Sequence, residues 1–198
     1  MTEKKQSTKV LKLAESAIMV ALATVLSLIS IIKMPLGGSL TLLSMLPICF
    51  ISIRHGLKWG LGSAFAYSVL QLMLSIGEIV GWGLTPVILL GCIFLDYLIP
   101  FTLIGLAGIF RKKGTAGMLW GIILALSLRF LSHFISGVVL WTNVKQFELF
   151  GRSWENRPVL YSFLYNGCFM LPEIVMTAVG AWLLTRVPMI RKLIYPQD

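Results

Sequence analysis

Ionisable and polar residues are scarce in this 198-residue chain, and a few of them interrupt long apolar runs: Asp96, Arg129, His133, Glu173 and, nearer the start, Glu15. Arg129, His133, Gly137 and Trp141 recur every four residues, which places them on one slowly drifting face of a helix. That face offers a cation, an imidazole, a gap and a large π-surface. Asp96-Tyr97, Tyr161 and Asn166 stand on other apolar runs and could face it. Together they could enclose a small, planar, polar and cationic molecule. Aromatic rings stack on such a ligand and attract its charge, while Asp and Asn fix its hydrogen-bonding groups.

Each residue also has a plainer reading. Asp96 and Arg129 could be a buried ion pair holding two helices together. His133 could be an interhelical donor, and Trp141 and Tyr161 could be interfacial-belt aromatics. Glu173 follows Pro172 and is expected to satisfy backbone groups freed by a kink there. The convergence of several such groups at one depth favours a binding site.

The elements that must position these residues follow from hydropathy. Hydrophobic residues make up 57% of the chain and charged residues 13%, with mean hydropathy +0.87. A soluble domain carries roughly a quarter of its residues charged. Apolar segments of about 20 residues, the length that crosses a hydrocarbon core of about 30 Å, follow one another with short breaks. An all-α integral membrane protein results, one domain over residues 1–198 with six predicted transmembrane helices at 13–32, 40–53, 59–76, 85–110, 118–141 and 159–185. The second is short and contains Pro47, so it is expected to be kinked or partly buried in protein. Lys33 to Ser39, Gly77 to Gly83 and Thr142 to Pro158 read as loops, the last holding Glu148, Arg152, Trp154, Glu155 and Arg157. The basic start is followed by no small-residue cleavage site, so the first run is expected to remain as a span.

The formal charge of +9 is gathered in loops and termini. With the N-terminus cytoplasmic, the inside receives Lys4, Lys5, Lys9, Lys12, Arg54, Lys58, Arg111, Lys112, Lys113, Arg186, Arg191 and Lys192. The outside receives only Lys33, Lys145, Arg152 and Arg157. The positive-inside rule therefore predicts both termini in the cytoplasm, and the scattering excludes a nucleic-acid-binding stripe. At about 1.5 Å per residue, Asp96 and Arg129 then lie some 15–18 Å below the outer ends of their spans, with His133 about 12 Å down and Asn166 about 10 Å down. Cys49, Cys92 and Cys168 show no metal-ligand or disulfide spacing and read as small buried hydrophobes.

Several stretches resemble the substrate-binding (S) components of energy-coupling factor (ECF) transporters, specifically the thiamine-specific members. They are Met34-Pro35-Leu36-Gly37-Gly38-Ser39-Leu40-Thr41-Leu42, Met45-Leu46-Pro47-Ile48, Leu95-Asp96-Tyr97 with Gly105-Leu106-Ala107-Gly108, Arg129 to Gly137, and Tyr161-Ser162 with Tyr165-Asn166-Gly167. The resemblance implies a multi-pass protein of a prokaryotic cell membrane with a vitamin pocket on its outer side. Asp96 and Asn166 would address the aminopyrimidine and charged parts of thiamine, and His133 and Trp141 would stack on its rings. Gly137 would leave room, Tyr97 and Tyr161 would complete the wall, and Arg129 would orient Asp96 or contact the ligand. Some members place an aromatic in the first outer loop, where this chain has Gly37-Gly38; Trp82 is expected to compensate.

The resemblance also implies partners: a transmembrane coupling subunit joined to two ATPase subunits. Ala17 and Ala21 form a small-xxx-small surface on the first helix, suited either to packing inside this protein or to docking on the coupling subunit. No phosphate-binding P-loop occurs, so the energy would come from those partners. No cofactor is implied. The competing readings are an S component for another small ring such as hydroxymethylpyrimidine or a flavin, an intramembrane hydrolase using His133 with Asp96, and a non-transport membrane subunit. The hydrolase lacks any G-x-S-x-G or H-E-x-x-H signature.

Overall fold

The computed structural model describes residues 2–35, 37–141, 148–149, 151–154 and 157–195. Leu36, Lys145 and Glu155, and with them most of the loop expected at 142–158, lie outside the described residues, as do the side chains of Lys4, Lys5 and Glu148. In chain order the elements are α1 (Thr2–Ser27), a hairpin of β1 (Ser30–Lys33) and β2 (Ser39–Thr41), α2 (Met45–His55), α3 (Leu57–Gly81), α4 (Pro86–Cys92), α5 (Ile99–Leu103) and α6 (Gly114–Val139). A two-residue hairpin of β3 (Glu148–Leu149) and β4 (Arg152–Ser153) precedes α7 (Pro158–Arg186) and α8 (Pro188–Ile194).

Five stretches are long and apolar enough to cross a bilayer: Lys9–Ser27, Leu57–Gly81, Pro86–Gly108, Arg111–Val139 and Pro158–Arg186. The protein is thus a mostly helical integral membrane protein, but the expected count of six full spans is not met among the described residues. The predicted span at 40–53 is instead strand β2, a turn and the 11-residue helix α2, which at about 1.5 Å per residue covers only half the hydrocarbon core. All nine residues from Met45 to Ile53 are buried, so α2 faces protein throughout. Pro47 sits in its first turn, where a missing N–H costs nothing, and no kink is needed.

Other expectations shift at their edges. The first span stops at Ser27, and Ser30–Lys33 pairs antiparallel with Ser39–Thr41, so the chain is not purely α. The Gly-rich segment from Gly77 continues α3 to Gly81 before the turn at Trp82 and Gly83. Helix α8 was not anticipated.

The fourth span changes pitch twice. A π-helical turn occupies Ile93–Leu98, directly ahead of Pro100. Proline has no N–H to give the carbonyl four residues back, here that of Asp96, so the helix widens where Asp96 sits. A 3-10 turn then covers Ile104–Gly108. A Cβ on Gly105 would stand 2.7 Å from Leu61 Cα, so only glycine lets this turn press on the backbone of α3.

At one end of the bundle the basic residues gather. Arg54 donates to both oxygens of Glu15 (2.6 and 2.8 Å), His55 Nε2 lies 2.9 Å from the same carboxylate, and Arg111 donates to the Arg54 carbonyl at 3.2 Å. Arg54 also donates to the Leu193 carbonyl, which ties α8 to this end.

Candidate ligand-binding site

At the opposite end, the C-terminal parts of α3 and α6, the N-terminal part of α7, the π-helical turn and the β1–β2 hairpin surround a cavity of about 130 Å³. Every residue singled out for binding lines it: Trp82, Asp96, Tyr97, Arg129, His133, Gly137, Trp141, Tyr161 and Asn166.

Asp96 is the polar centre. Its Oδ2 accepts from Ser136 Oγ at 2.6 Å and from Trp141 Nε1 at 3.2 Å, and its Oδ1 lies 3.2 Å from His133 Nδ1. The contact with Asp96 selects the His133 tautomer with the proton on Nδ1. Nε2 has no partner among the described residues, so it is left as an acceptor. Ser136, Trp141 and His133 hold the carboxylate in place, and the Cys92 thiol lies against it as well. Asn166 spends its amide nitrogen on the carbonyls of His133 (3.3 Å) and Ser162 (2.9 Å). Its amide oxygen remains as an acceptor.

The walls are aromatic. Trp82 meets Trp141 edge to face with ring centroids 5.3 Å apart. Tyr97 stacks on Phe101, Tyr161 lies against Tyr165, and Phe169 meets the His133 ring at 6.1 Å. Trp82 lies beside Gly37, whose added Cβ would come 2.9 Å from the Trp82 ring.

Two expectations need correction, and that for Gly137 gains a second contact. Arg129 does not pair with Asp96. Its guanidinium lies over the Phe101 ring, 4.4 Å from the centroid, and the carboxylate whose charge bears on it most is Glu173. Glu173 does not satisfy backbone freed in its own helix, because it accepts from the backbone N–H of Thr41 in β2 at 3.0 Å. The gap at Gly137 is taken by the Ser162 hydroxyl as well as by the cavity, so the glycine also lets α6 and α7 approach.

Sequence reasoning missed Ser162, Tyr165 and Phe169 in the lining, and Ser136 as a donor to Asp96. A signal existed: Tyr161, Tyr165 and Phe169 repeat every four residues, and Ser136 is three residues from His133 on the same face. Gln71 and Ser75 from α3 also reach the cavity, a helix not considered for the site.

Ala17 and Ala21 are both exposed. Ala17 lies in a second, shallow and mostly apolar groove between α1 and α3, lined also by Leu13, Val20, Lys58, Trp59 and Gly62.

Comparison with known proteins shows the family. A model of the family described as thiamine transporter protein (Thia_YuaJ) matches residues 13–191. The thiamine transporter ThiT of Bacillus subtilis is 31% identical over 194 residues, covering 90% of this chain and 92% of that protein. ThiT of Lacticaseibacillus paracasei is 32% identical over 163 residues, covering 72% of this chain and 71% of its own length. Among solved structures, ThiT from Listeria monocytogenes superposes with a TM-score of 0.71 over 92% of this chain and 98% of that one, at 22% identity, and so shares the fold. The family consists of transport proteins rather than enzymes, which sets the hydrolase reading aside. From its sequence over nearly its whole length, the chain belongs to the thiamine transporter protein family.

Proposed function

We propose that this chain is the thiamine-binding S component of an ECF-type importer in a prokaryotic cell membrane, acting as one six-span domain over residues 1–198 with both termini in the cytoplasm. It captures thiamine in the cavity, which opens outward, and hands it inward together with a transmembrane coupling subunit and two ATPase subunits. The observation that carries the reading is the Asp96 carboxylate, fixed by Ser136, Trp141 and His133 and neutralised by no Lys or Arg among the described residues. A thiazolium cation supplies the missing charge.

In this reading Asp96 and Asn166 meet the charged and aminopyrimidine parts, and His133 and Trp141 stack on the rings. Tyr97, Tyr161 and Trp82 close the sides, Gly137 leaves space, and Arg129 contacts the ligand from below. The positive-inside count supports the orientation, because Arg54, Lys58 and Arg111 lie at the end away from the cavity. The short α2, between strand β2 and α3, counts as the sixth transmembrane element because its chain re-enters the bundle from the hairpin. The exposed Ala17 and Ala21, next to an apolar groove, support docking of the coupling subunit there.

The test is titration of the purified protein with thiamine, hydroxymethylpyrimidine and riboflavin, read by fluorescence of the cavity tryptophans. Quenching by thiamine at micromolar concentration or below, with the other two inert, is the expected result. Response to another ring and none to thiamine reassigns the substrate. A silent protein in all three titrations ends the binding reading.

A further inference from the structure

Glu173 is 1% exposed and has no part in the site as described so far, although it sits one helical turn beyond Phe169 on α7. A buried carboxylate persists only where donors and opposite charge offset its lost hydration. Its donors come from the β1–β2 hairpin. Thr41 gives its backbone N–H to Oε2 at 3.0 Å, and its hydroxyl lies 3.3 Å from Oε1 and 2.6 Å from Ser44 Oγ. Arg129, at the cavity floor, is the cation that Glu173 feels.

The hairpin needs such an anchor. Residues Ile31, Ile32 and Lys33 of the outer strand are exposed, whereas Leu40 and Thr41 of the inner strand are buried. β2 therefore faces the bundle and β1 faces away from it, with Met34 beyond β1 packed on the cluster of Tyr161, Tyr165 and Phe169. At the tip, Gly37 and Gly38 line the cavity, and a Cβ on Gly38 would stand 2.6 Å from the Phe169 ring. At the base the chain leaves through Leu43 at φ 57, the one non-glycine residue with positive φ among those described. A bulky residue in that region is strained and stays there only when its surroundings fix it.

We infer that Glu173 is a positioning residue that fastens the hairpin over the cavity, so that it sets how long a ligand is retained without touching it. The inference rests on the reading of the cavity as a thiamine site. Phe169 seats the tip and Glu173, four residues on, holds the base, so one face of α7 fixes both ends of β2. The same carboxylate answers the Arg129 charge, which leaves Asp96 as the uncancelled charge in the cavity.

Stopped-flow fluorescence with thiamine on Glu173→Gln and Glu173→Ala tests it. Dissociation is expected to quicken roughly 10- to 100-fold, the worth of a hydrogen bond to a charged group, with association changed by less than about threefold. Thr41→Val should add nothing further in the Glu173→Gln background, since both changes break one attachment. Amide exchange should rise across residues 30–44 and stay unchanged in α6 and α7, a pattern that general destabilisation does not give. Dissociation within about twofold of the unaltered protein, or faster exchange spread through α6 and α7, overturns the inference. If Glu173→Ala does not fold, Glu173→Gln and Thr41→Val carry both readouts. If the unaltered protein fails to bind thiamine, the ligand assignment falls and the exchange experiment alone decides the role of Glu173.

Discussion

Two carboxylates, one at each end of the bundle, are held by a similar inventory of partners to opposite effect. Glu15 meets the Arg54 guanidinium through both oxygens and His55 through one, with the Arg54, Glu15 and His55 side chains 21%, 28% and 7% exposed. Asp96 meets a hydroxyl, an indole N–H and an imidazole. The first charge is cancelled inside the protein and joins α1 to α2. The second is immobilised without being cancelled, inside an aromatic cavity of low polarity where a charge interaction is strong. In the proposed function a bound cation completes the second cluster, whereas the first is complete already.

The contrast breaks most visibly at Asp96. Asp96→Asn keeps the shape and removes the charge, and thiamine affinity is expected to fall at least about 100-fold, near 3 kcal/mol, in a calorimetric titration. Unchanged affinity would make the two carboxylates equivalent. Trp141→Ala removes one donor to Asp96 and a π-face, and about a 10- to 30-fold loss is expected from a partly desolvated cation–π contact. Gly137→Ala forces a methyl into the Ser162 hydroxyl and should destabilise the protein by about 1–3 kcal/mol, seen as a lower midpoint in thermal unfolding. Ser162→Gly in the same chain should recover part of that loss. Glu15→Gln marks the other side of the comparison: thiamine affinity should stay within about twofold, and stability should fall by about 1 kcal/mol or less, as for other partly exposed ion pairs.

The site was readable in the sequence because apolar spans make every polar residue conspicuous. Asp96, His133, Asn166 and the four-residue ladder from Arg129 to Trp141 interrupt runs of Leu, Ile and Phe, and the structure brings them to one cavity. What each polar group faces was less readable. The Asp96–Arg129 pairing looked natural because both lie at one depth, yet depth says nothing about azimuth, and Arg129 turns to Phe101 and towards Glu173. The β1–β2 hairpin was hidden for a different reason. Ser30-Ile31-Ile32-Lys33 continues the apolar composition of α1, and composition alone cannot separate a strand from the end of a span. Gly77 and Gly81 looked like loop residues, but a helix in lipid must satisfy its own backbone, which overrides glycine's low propensity. The π-helical turn had a local cause in Pro100, although proline alone does not say on which side a helix will widen.

The shortness of α2 explains where the hollow comes from. Its first residue, Met45, follows Ser44, which bonds to Thr41 at the level of Glu173, one turn beneath the cavity-lining Phe169. Met45 to Ile53 fill the protein interior beyond that level, and no residue of α2 lines the cavity. In the proposed function, ligand capacity is then set by the starting point of a helix that never meets the ligand: each residue added before Met45 would advance the helix about 1.5 Å, and a single extra turn would occupy the room in which a nutrient could rest.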